Sequence, residues 1–283
     1  MTPQDLYRIR DFVPEFDAIA AEFADRSREI SSTAAVFADI RYGSGGRETL
    51  DLLRPERPSA GAPLHVFVHG GYWRSGEKEN YRFVAAPVLA AGGVAAIVEY
   101  DLMPSQRLHV LVDQVRRSVL WLEQYAGDFG ADTQKITVSG HSASAHLASF
   151  LAAIGPAETA MPLLPKIRGL LLVSGIYDLS GIPNSFLRDE AKMTPAEAID
   201  WSPLTSRQLP CPERIVAVGG AETSPFRQQA EAFHEQLCST GQVSNVLAIP
   251  GLNHMNAVLD LANPTGKLGS RLIELVTSAP QNA

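Results

Sequence analysis

A serine between small residues, at the end of an apolar run, is the feature of this sequence that points most directly to chemistry. In Lys135-Ile136-Thr137-Val138-Ser139-Gly140-His141-Ser142-Ala143-Ser144-Ala145-His146, a β-branched stretch leads into Gly140-His141-Ser142 and then directly into a helical segment. A sharp strand-to-helix turn of this kind exposes a hydroxyl at a helix N-terminus, and small neighbours are needed because strand and helix cross closely. Gly140, Ala143 and Ala145 meet that need, although Ser144 stands where the G-x-S-x-G pattern has its last glycine. Two plainer readings remain beside it: Ser142 as a simple helix N-cap, and Ser144 as the nucleophile, from a position already inside the helix.

An alcohol needs a base to take its proton, and the base needs an acid to orient it. Of the seven histidines, His254 follows the last apolar strand, in Pro250-Gly251-Leu252-Asn253-His254. A chain order of nucleophile, acid, base puts the general base there. His65, His109, His146 and His234 fall in expected strands or helices and read as surface or satisfied core residues; His69 reads as shaping its own loop. The acid should leave the preceding strand, Ile215–Val218, and Glu222 is the carboxylate at that strand end, 32 residues before His254. Asp178, after the strand Leu170–Val173, is the rival acid, or else a cap for backbone N–H groups. A third segment, His69-Gly70-Gly71-Tyr72-Trp73, ends another apolar strand. Glycines there free backbone N–H groups to face a developing oxyanion. Gly70, Gly71 and Ala143, with Tyr72 as a further donor, form the expected hole; an ordinary glycine turn is the alternative.

These groups can converge only if the intervening chain builds strands that end on one rim. Short apolar runs at Leu64–Val68, Val94–Val98, Ile136–Val138, Leu170–Val173, Ile215–Val218 and Val246–Ile249 have the character of buried parallel strands. Helical stretches separate them at Tyr81–Ala91, Leu108–Tyr125, Ala143–Ile154 and Pro225–Leu237, with Leu111, Val115, Val119 and Leu122 forming one apolar stripe. Ala34–Tyr42 and Glu48–Leu53, joined by Gly43-Ser44-Gly45-Gly46, read as an antiparallel hairpin. The alternation predicts one α/β domain over residues 1–283: a mostly parallel sheet with that hairpin at its start and helices on both faces. Residues 1–33 read as an amphipathic helical segment on the body. Residues 176–212, with five prolines, read as a small cap-like insertion at the sheet edge.

Composition narrows the classes. The chain has 283 residues, 45% of them hydrophobic and 19% charged, which suits a packed globular protein. A net charge of −7 argues against nucleic-acid or anionic-membrane partners. Two cysteines, Cys211 and Cys238, make no CxxC pair and read as inert thiols in a reducing compartment. No apolar run reaches a membrane span, and the acidic N-terminus lacks a signal pattern. The expected setting is soluble and cytoplasmic, with a small-molecule substrate as partner and a homodimer left open. No metal or cofactor is expected: HExxH, paired Cys/His spacing and a dinucleotide fingerprint are all absent.

Taken together, GHSA around Ser142, the HGGYW loop and the GIYDL stretch resemble the kynurenine formamidase (arylformamidase) branch of the α/β-hydrolases, itself similar to the hormone-sensitive-lipase-type esterases that carry HGGG. The resemblance runs through most of the chain, from Tyr7 and Val13-Pro14 to Ser224-Pro225-Phe226. It implies an α/β-hydrolase fold with Ser142 as nucleophile, Glu222 at the acid position and His254 as base. Glu222 stands where family members commonly have Asp. The implied activity is cleavage of a small aryl formamide or amide, or a carboxylic ester, through an acyl-enzyme. Trp73, Tyr72, Tyr100 and Tyr177 are the expected aromatic lining of the substrate pocket. The other reading is a protein that only binds a small ligand on a hydrolase fold.

Overall fold

A computed structural model describes residues 5–57, 59 and 61–278; residues 1–4 of the N-terminal segment lie outside the described residues. The strands are β1 (Ala35–Arg41), β2 (Thr49–Arg54), β3 (Ala62–Val68), β4 (Val94–Val98), β5 (Ala131–His141), β6 (Ala153–Ile154), β7 (Gly169–Val173), β8 (Arg207–Gln208), β9 (Arg214–Gly219) and β10 (Asn245–Ile249). The helices are α1 (Phe16–Thr33), α2 (Ala86–Ala90), α3 (Leu108–Tyr125), α4 (Ala143–Ser149), α5 (Pro195–Asp200), α6 (Ser224–Ser239), α7 (Asn256–Leu261) and α8 (Lys267–Thr277). Eight strands form one sheet in the order β1-β2-β4-β3-β5-β7-β9-β10. β1, β2 and β4 pair antiparallel; the pairs from β4 through β10 are parallel. With Ser142 following β5, Glu222 following β9 and His254 following β10, parallel pairing carries all three to the same strand-end rim.

The six apolar runs all became strands of this sheet, and the expected hairpin is β1–β2. Four of the central strands, β4, β7, β9 and the apolar part of β5, are buried along their length because helices cover both faces. The stripe on α3 is fully buried at Leu111, Val115, Val119 and Leu122, each side chain contributing about 1.5–3 kcal/mol by leaving water. β10 departs from the expected buried run: it is the sheet edge, and Val246 stays 37% exposed. The helix expected over Tyr81–Ala91 is a 3-10 segment, Lys78–Ala85, followed by the short α2. The helix expected over Ala143–Ile154 ends at Ser149, and Ala153–Ile154 turns into β6, which pairs antiparallel with β8 from the proline-rich stretch. Cys211 is buried and Cys238 exposed, both as free thiols. Among the described residues, no helix is long and apolar enough to cross a membrane.

A buried histidine sits among polar partners in the middle of the sheet. His65 on β3 lies beside Thr137 on β5, its Nδ1 2.8 Å from the Thr137 hydroxyl and its Nε2 2.7 Å from Ser139 Oγ. Burial pushes its pKa down to about 3, so it folds as the neutral ring. The unfolded chain takes up a proton there below about 6.5 and the folded chain does not. Stability from this site is therefore present above that pH and lost as pH falls toward 3. Urea unfolding between pH 6 and 4 should show His65→Asn removing about 1.4 kcal/mol per pH unit from the slope of the parent protein; identical slopes would mean that His65 is not held neutral.

Candidate active site

The turn at Ser142 is built by steric exclusion. Ser142 has φ 60° and ψ −124°, a left-handed conformation rare for a residue with a Cβ, between the end of β5 and the start of α4. A Cβ at Gly140 would stand 2.4 Å from the Ser144 carbonyl oxygen, so only glycine lets strand and helix cross here. Ser144, at the position where the motif has glycine, rivets the turn. Its Oγ accepts from the His141 N–H at 2.9 Å and reaches the Val68 carbonyl at the end of β3 at 2.5 Å. That hydroxyl is fully buried within α4.

Glu222 and His254 meet because β9 and the loop after β10 touch. A Cβ at Gly219 would lie 2.2 Å from the Leu252 carbonyl oxygen. Gly220 N–H donates to Ile249 O at 2.7 Å, and Ala221 N–H to Leu252 O at 2.9 Å. His254 Nδ1 is then 2.7 Å from Glu222 Oε2. The other carboxylate oxygen accepts from Ser174 Oγ at 2.6 Å and from the Gly219 N–H at 2.7 Å. Ser174 has φ 53° just beyond β7. The sequence carried no signal for it other than its place at a strand end. Asp178 lies elsewhere, its carboxylate accepting from the Ser180 N–H at 2.9 Å.

Ser142 and His254 line one cavity of about 250 Å³. No hydrogen bond joins their side chains, and Nδ1 of His254 is the ring nitrogen engaged with protein among the described residues. His141 ties the two together from behind: its Nε2 donates to the His254 carbonyl oxygen at 2.8 Å. Burial, then the adjacent His254, holds the His141 pKa well below its ordinary value, so the ring is neutral with one N–H to give.

The glycine loop after β3 is held in an unusual shape. Gly71 has φ 128°, and Tyr72 and Trp73 follow at φ 56° and 59°. A Cβ on Gly71 would come within 2.0 Å of Ser75 O. The N–H groups of Gly70, Gly71 and Tyr72 find no protein acceptor among the described residues, and Ala143, as the first residue of α4, has no intrahelical acceptor for its own. Two buried braces fix this loop. Trp73 Nε1 donates to His146 Nδ1 at 3.1 Å, and His146 Nε2 donates onward to Trp201 O at 2.8 Å. Burial holds His146 at about 4, the neutral form that this accept-and-donate arrangement requires. On the other side His69 Nε2 sits 2.8 Å from Glu99, which also accepts from Arg47 at 2.6 Å and from the Lys78 N–H at 3.0 Å.

Of the four aromatics expected in the pocket, Tyr72 lines the cavity. Trp73, Tyr100 and Tyr177 do not: each is fully buried. Trp73 braces the loop, Tyr100 stacks on His69 at 4.6 Å and donates to its carbonyl, and Tyr177 stacks on Phe233 at 4.3 Å. Large rings at strand ends were drawn inward because burying them yields more than exposing them. The wall that the sequence reading missed is α1, whose Phe16, Ala20, Phe23 and Ala24 share one helical face toward the cavity. The Tyr72 hydroxyl fastens the preceding segment, donating to Tyr7 O at 2.9 Å and accepting from the Ile9 N–H at 3.1 Å. No residue of 176–212 lines this cavity. A larger cleft of about 1020 Å³ lies between α3 and α5, away from Ser142. Its Arg107 and Arg116 are already paired with Glu197 and Glu158.

A family model described as BD-FAE matches residues 50–202. The kynurenine formamidase of Salmo salar is 33% identical over 265 residues, covering 90% of this chain and 86% of that protein. The crystal structure of a putative thioesterase from Silicibacter sp. TM1040 superposes with a TM-score of 0.78 at 26% identity, over 98% of this chain and 100% of that one. A thermostable esterase from Pseudomonas putida shares the fold, with a TM-score of 0.70 at 20% identity over 95% and 90% of the two chains.

The Ser144 rivet has a measurable consequence. Ser144→Ala leaves the buried His141 N–H and Val68 carbonyl without their partner. It should cost about 1–3 kcal/mol for each group so orphaned, read from denaturant midpoints. A change under about 0.5 kcal/mol would show that water or rearrangement replaces the hydroxyl.

Proposed function

The chain belongs to the BD-FAE family of α/β-hydrolases and groups with the kynurenine formamidases, and from that premise we propose a serine hydrolase that cleaves a small aryl formamide or amide, or a carboxylic ester, through an acyl-enzyme. The observation that carries the reading is the 2.7 Å contact of Glu222 with His254 Nδ1, which leaves Nε2 without a protein partner among the described residues on a histidine that lines one cavity with Ser142. Glu222 fixes the tautomer with the proton on Nδ1 and stabilises the imidazolium that forms later. Ser142 Oγ attacks the substrate carbonyl while His254 Nε2 takes its proton. The carbonyl oxygen becomes an oxyanion facing the N–H groups of Gly70, Gly71, Tyr72 and Ala143. These donors are set in place before the reaction and cost no reorganisation as charge develops.

The tetrahedral intermediate collapses as His254 returns the proton to the departing amine or alcohol. Water, deprotonated by the same nitrogen, then attacks the acyl-serine and releases the carboxylic acid, formic acid in the formamide case. The longer Glu222 side chain serves as well as an aspartate because Ser174 and the Gly219 N–H fix its far oxygen. The two free thiols suit a reducing compartment, and we place the chain in the cytoplasm on that ground.

Side-by-side kinetics on p-nitrophenyl acetate test the assignment. Ser142→Ala should abolish turnover above background. Glu222→Gln should lower kcat by roughly 10²–10⁴-fold, since an amide in place of the carboxylate favours the wrong tautomer. Asp178→Asn should stay within a few-fold of the parent. Loss of activity in Asp178→Asn with retention in Glu222→Gln would overturn the choice of acid.

A further inference from the structure

The tyrosine of the glycine loop is held from outside that loop. Residues 5–11, which include a 3-10 turn over Ile9–Asp11, run past the cavity with Ile9 buried on its wall. Their main chain takes the Tyr72 hydroxyl from two sides: Tyr7 O accepts from it at 2.9 Å, and the Ile9 N–H donates to it at 3.1 Å. Burial pushes the phenol up to about 12, with the Ile9 N–H and Arg74 opposing and Asp5 and Asp11 adding, so the hydroxyl keeps its proton to donate. The segment is fixed in turn from the side of the acid and base. Thr223, at the head of α6, donates its hydroxyl to Leu6 O at 2.8 Å, and Gln229 on α6 donates to the Tyr7 hydroxyl at 3.0 Å. Asp5 accepts from the Phe186 N–H, and the Phe186 ring stands edge-on to Tyr72 at 5.1 Å. Tyr7 packs edge-on against Phe226 at 6.1 Å, and the Phe226 ring lies 4.5 Å from that of His254.

What this clasp holds is backbone. Tyr72 sits at φ 56°, between Gly71 at 128° and Trp73 at 59°. A residue with a Cβ stays in that region only where its surroundings hold it. Trp73 has its brace in His146 on α4, and Tyr72 has residues 5–11. The Tyr72 N–H finds no protein acceptor among the described residues, and a return to negative φ would turn the peptide that carries it. Resting on the serine-hydrolase reading above, we propose that residues 5–11 are a positioning strap: through the Tyr72 hydroxyl they keep the N–H groups of Gly71 and Tyr72 aimed at the oxyanion formed when Ser142 attacks. Tyr72 acts here through its backbone, and the strap acts through Tyr72. The effect falls on the transition state, because a misaimed donor costs most where negative charge is greatest.

Tyr72→Phe tests this, since it removes the hydroxyl and keeps the ring. On p-nitrophenyl acetate, with rates referred to sites titrated by a fluorophosphonate, kcat and kcat/KM should fall together by at least about tenfold. A smaller fall in either overturns the inference; a change confined to KM would make the strap a binding wall only. Should Tyr72→Phe not yield folded protein, the double variant Asp5→Ala/Thr223→Val frees the outer end of the strap with Tyr72 intact. It carries the same expectation and the same refutation. If the parent protein does not turn over the ester, the hydrolytic reading falls by itself, and hydrogen exchange then reads the clasp directly. Either variant should speed exchange of the amides of residues 5–11 and 70–74 by at least about tenfold, and a smaller change overturns the positioning role.

Discussion

The contact between Glu222 and His254 depends on how closely two backbones approach. At Gly219 the end of β9 passes the Leu252 carbonyl with no space for a Cβ, and two main-chain hydrogen bonds sew the segments together. With that approach fixed, the carboxylate has one place to go, and Ser174 and the Gly219 N–H hold it there. The elbow repeats the device at Gly140, where Ser144 adds a hydroxyl clamp to Val68 and His141 links the elbow to the His254 loop. The sheet thus brings three strand ends together, and steric exclusion at two glycines sets the finer spacing.

The glycine loop poses the opposite problem, because its backbone must stay in conformations that the chain ordinarily avoids. Two consecutive non-glycine residues with positive φ cost of order 1–3 kcal/mol each. The buried relay from Trp73 through His146 to Trp201 and the cluster of His69, Glu99 and Arg47 supply the surrounding structure that keeps them there. This explains why a tryptophan follows the glycines and why a histidine stands four residues beyond Ser142. The two motifs are halves of one packing unit, since the indole N–H of the first has its acceptor in the second.

The fold was largely legible because parallel strands buried on both faces must be written in uninterrupted apolar runs, and all six runs became strands of the main sheet. The strand ends also pointed to Ser142, Glu222 and His254, which share the rim. What escaped was whatever depends on tertiary packing. Trp73, Tyr100 and Tyr177 look like pocket residues by position, yet a buried ring at a strand end is indistinguishable from an exposed one in a string of letters. The cavity wall came instead from α1, more than a hundred residues before the elbow, where an amphipathic helix gives no sign that its Phe16, Ala20, Phe23 and Ala24 face a site. β10 read as buried from its apolar run alone; its place at the edge of the sheet is a property of strand order.

A crystal structure of the protein after reaction with a small alkyl fluorophosphonate tests the convergence of Ser142, His254 and the glycine loop. Phosphorus should be bonded to Ser142 Oγ, with the phosphoryl oxygen within hydrogen-bond distance of at least two of the Gly70, Gly71, Tyr72 and Ala143 N–H groups, and His254 Nε2 facing the adduct with Glu222 still on Nδ1. An adduct on another residue, or one on Ser142 whose phosphoryl oxygen points away from those donors, would contradict that convergence.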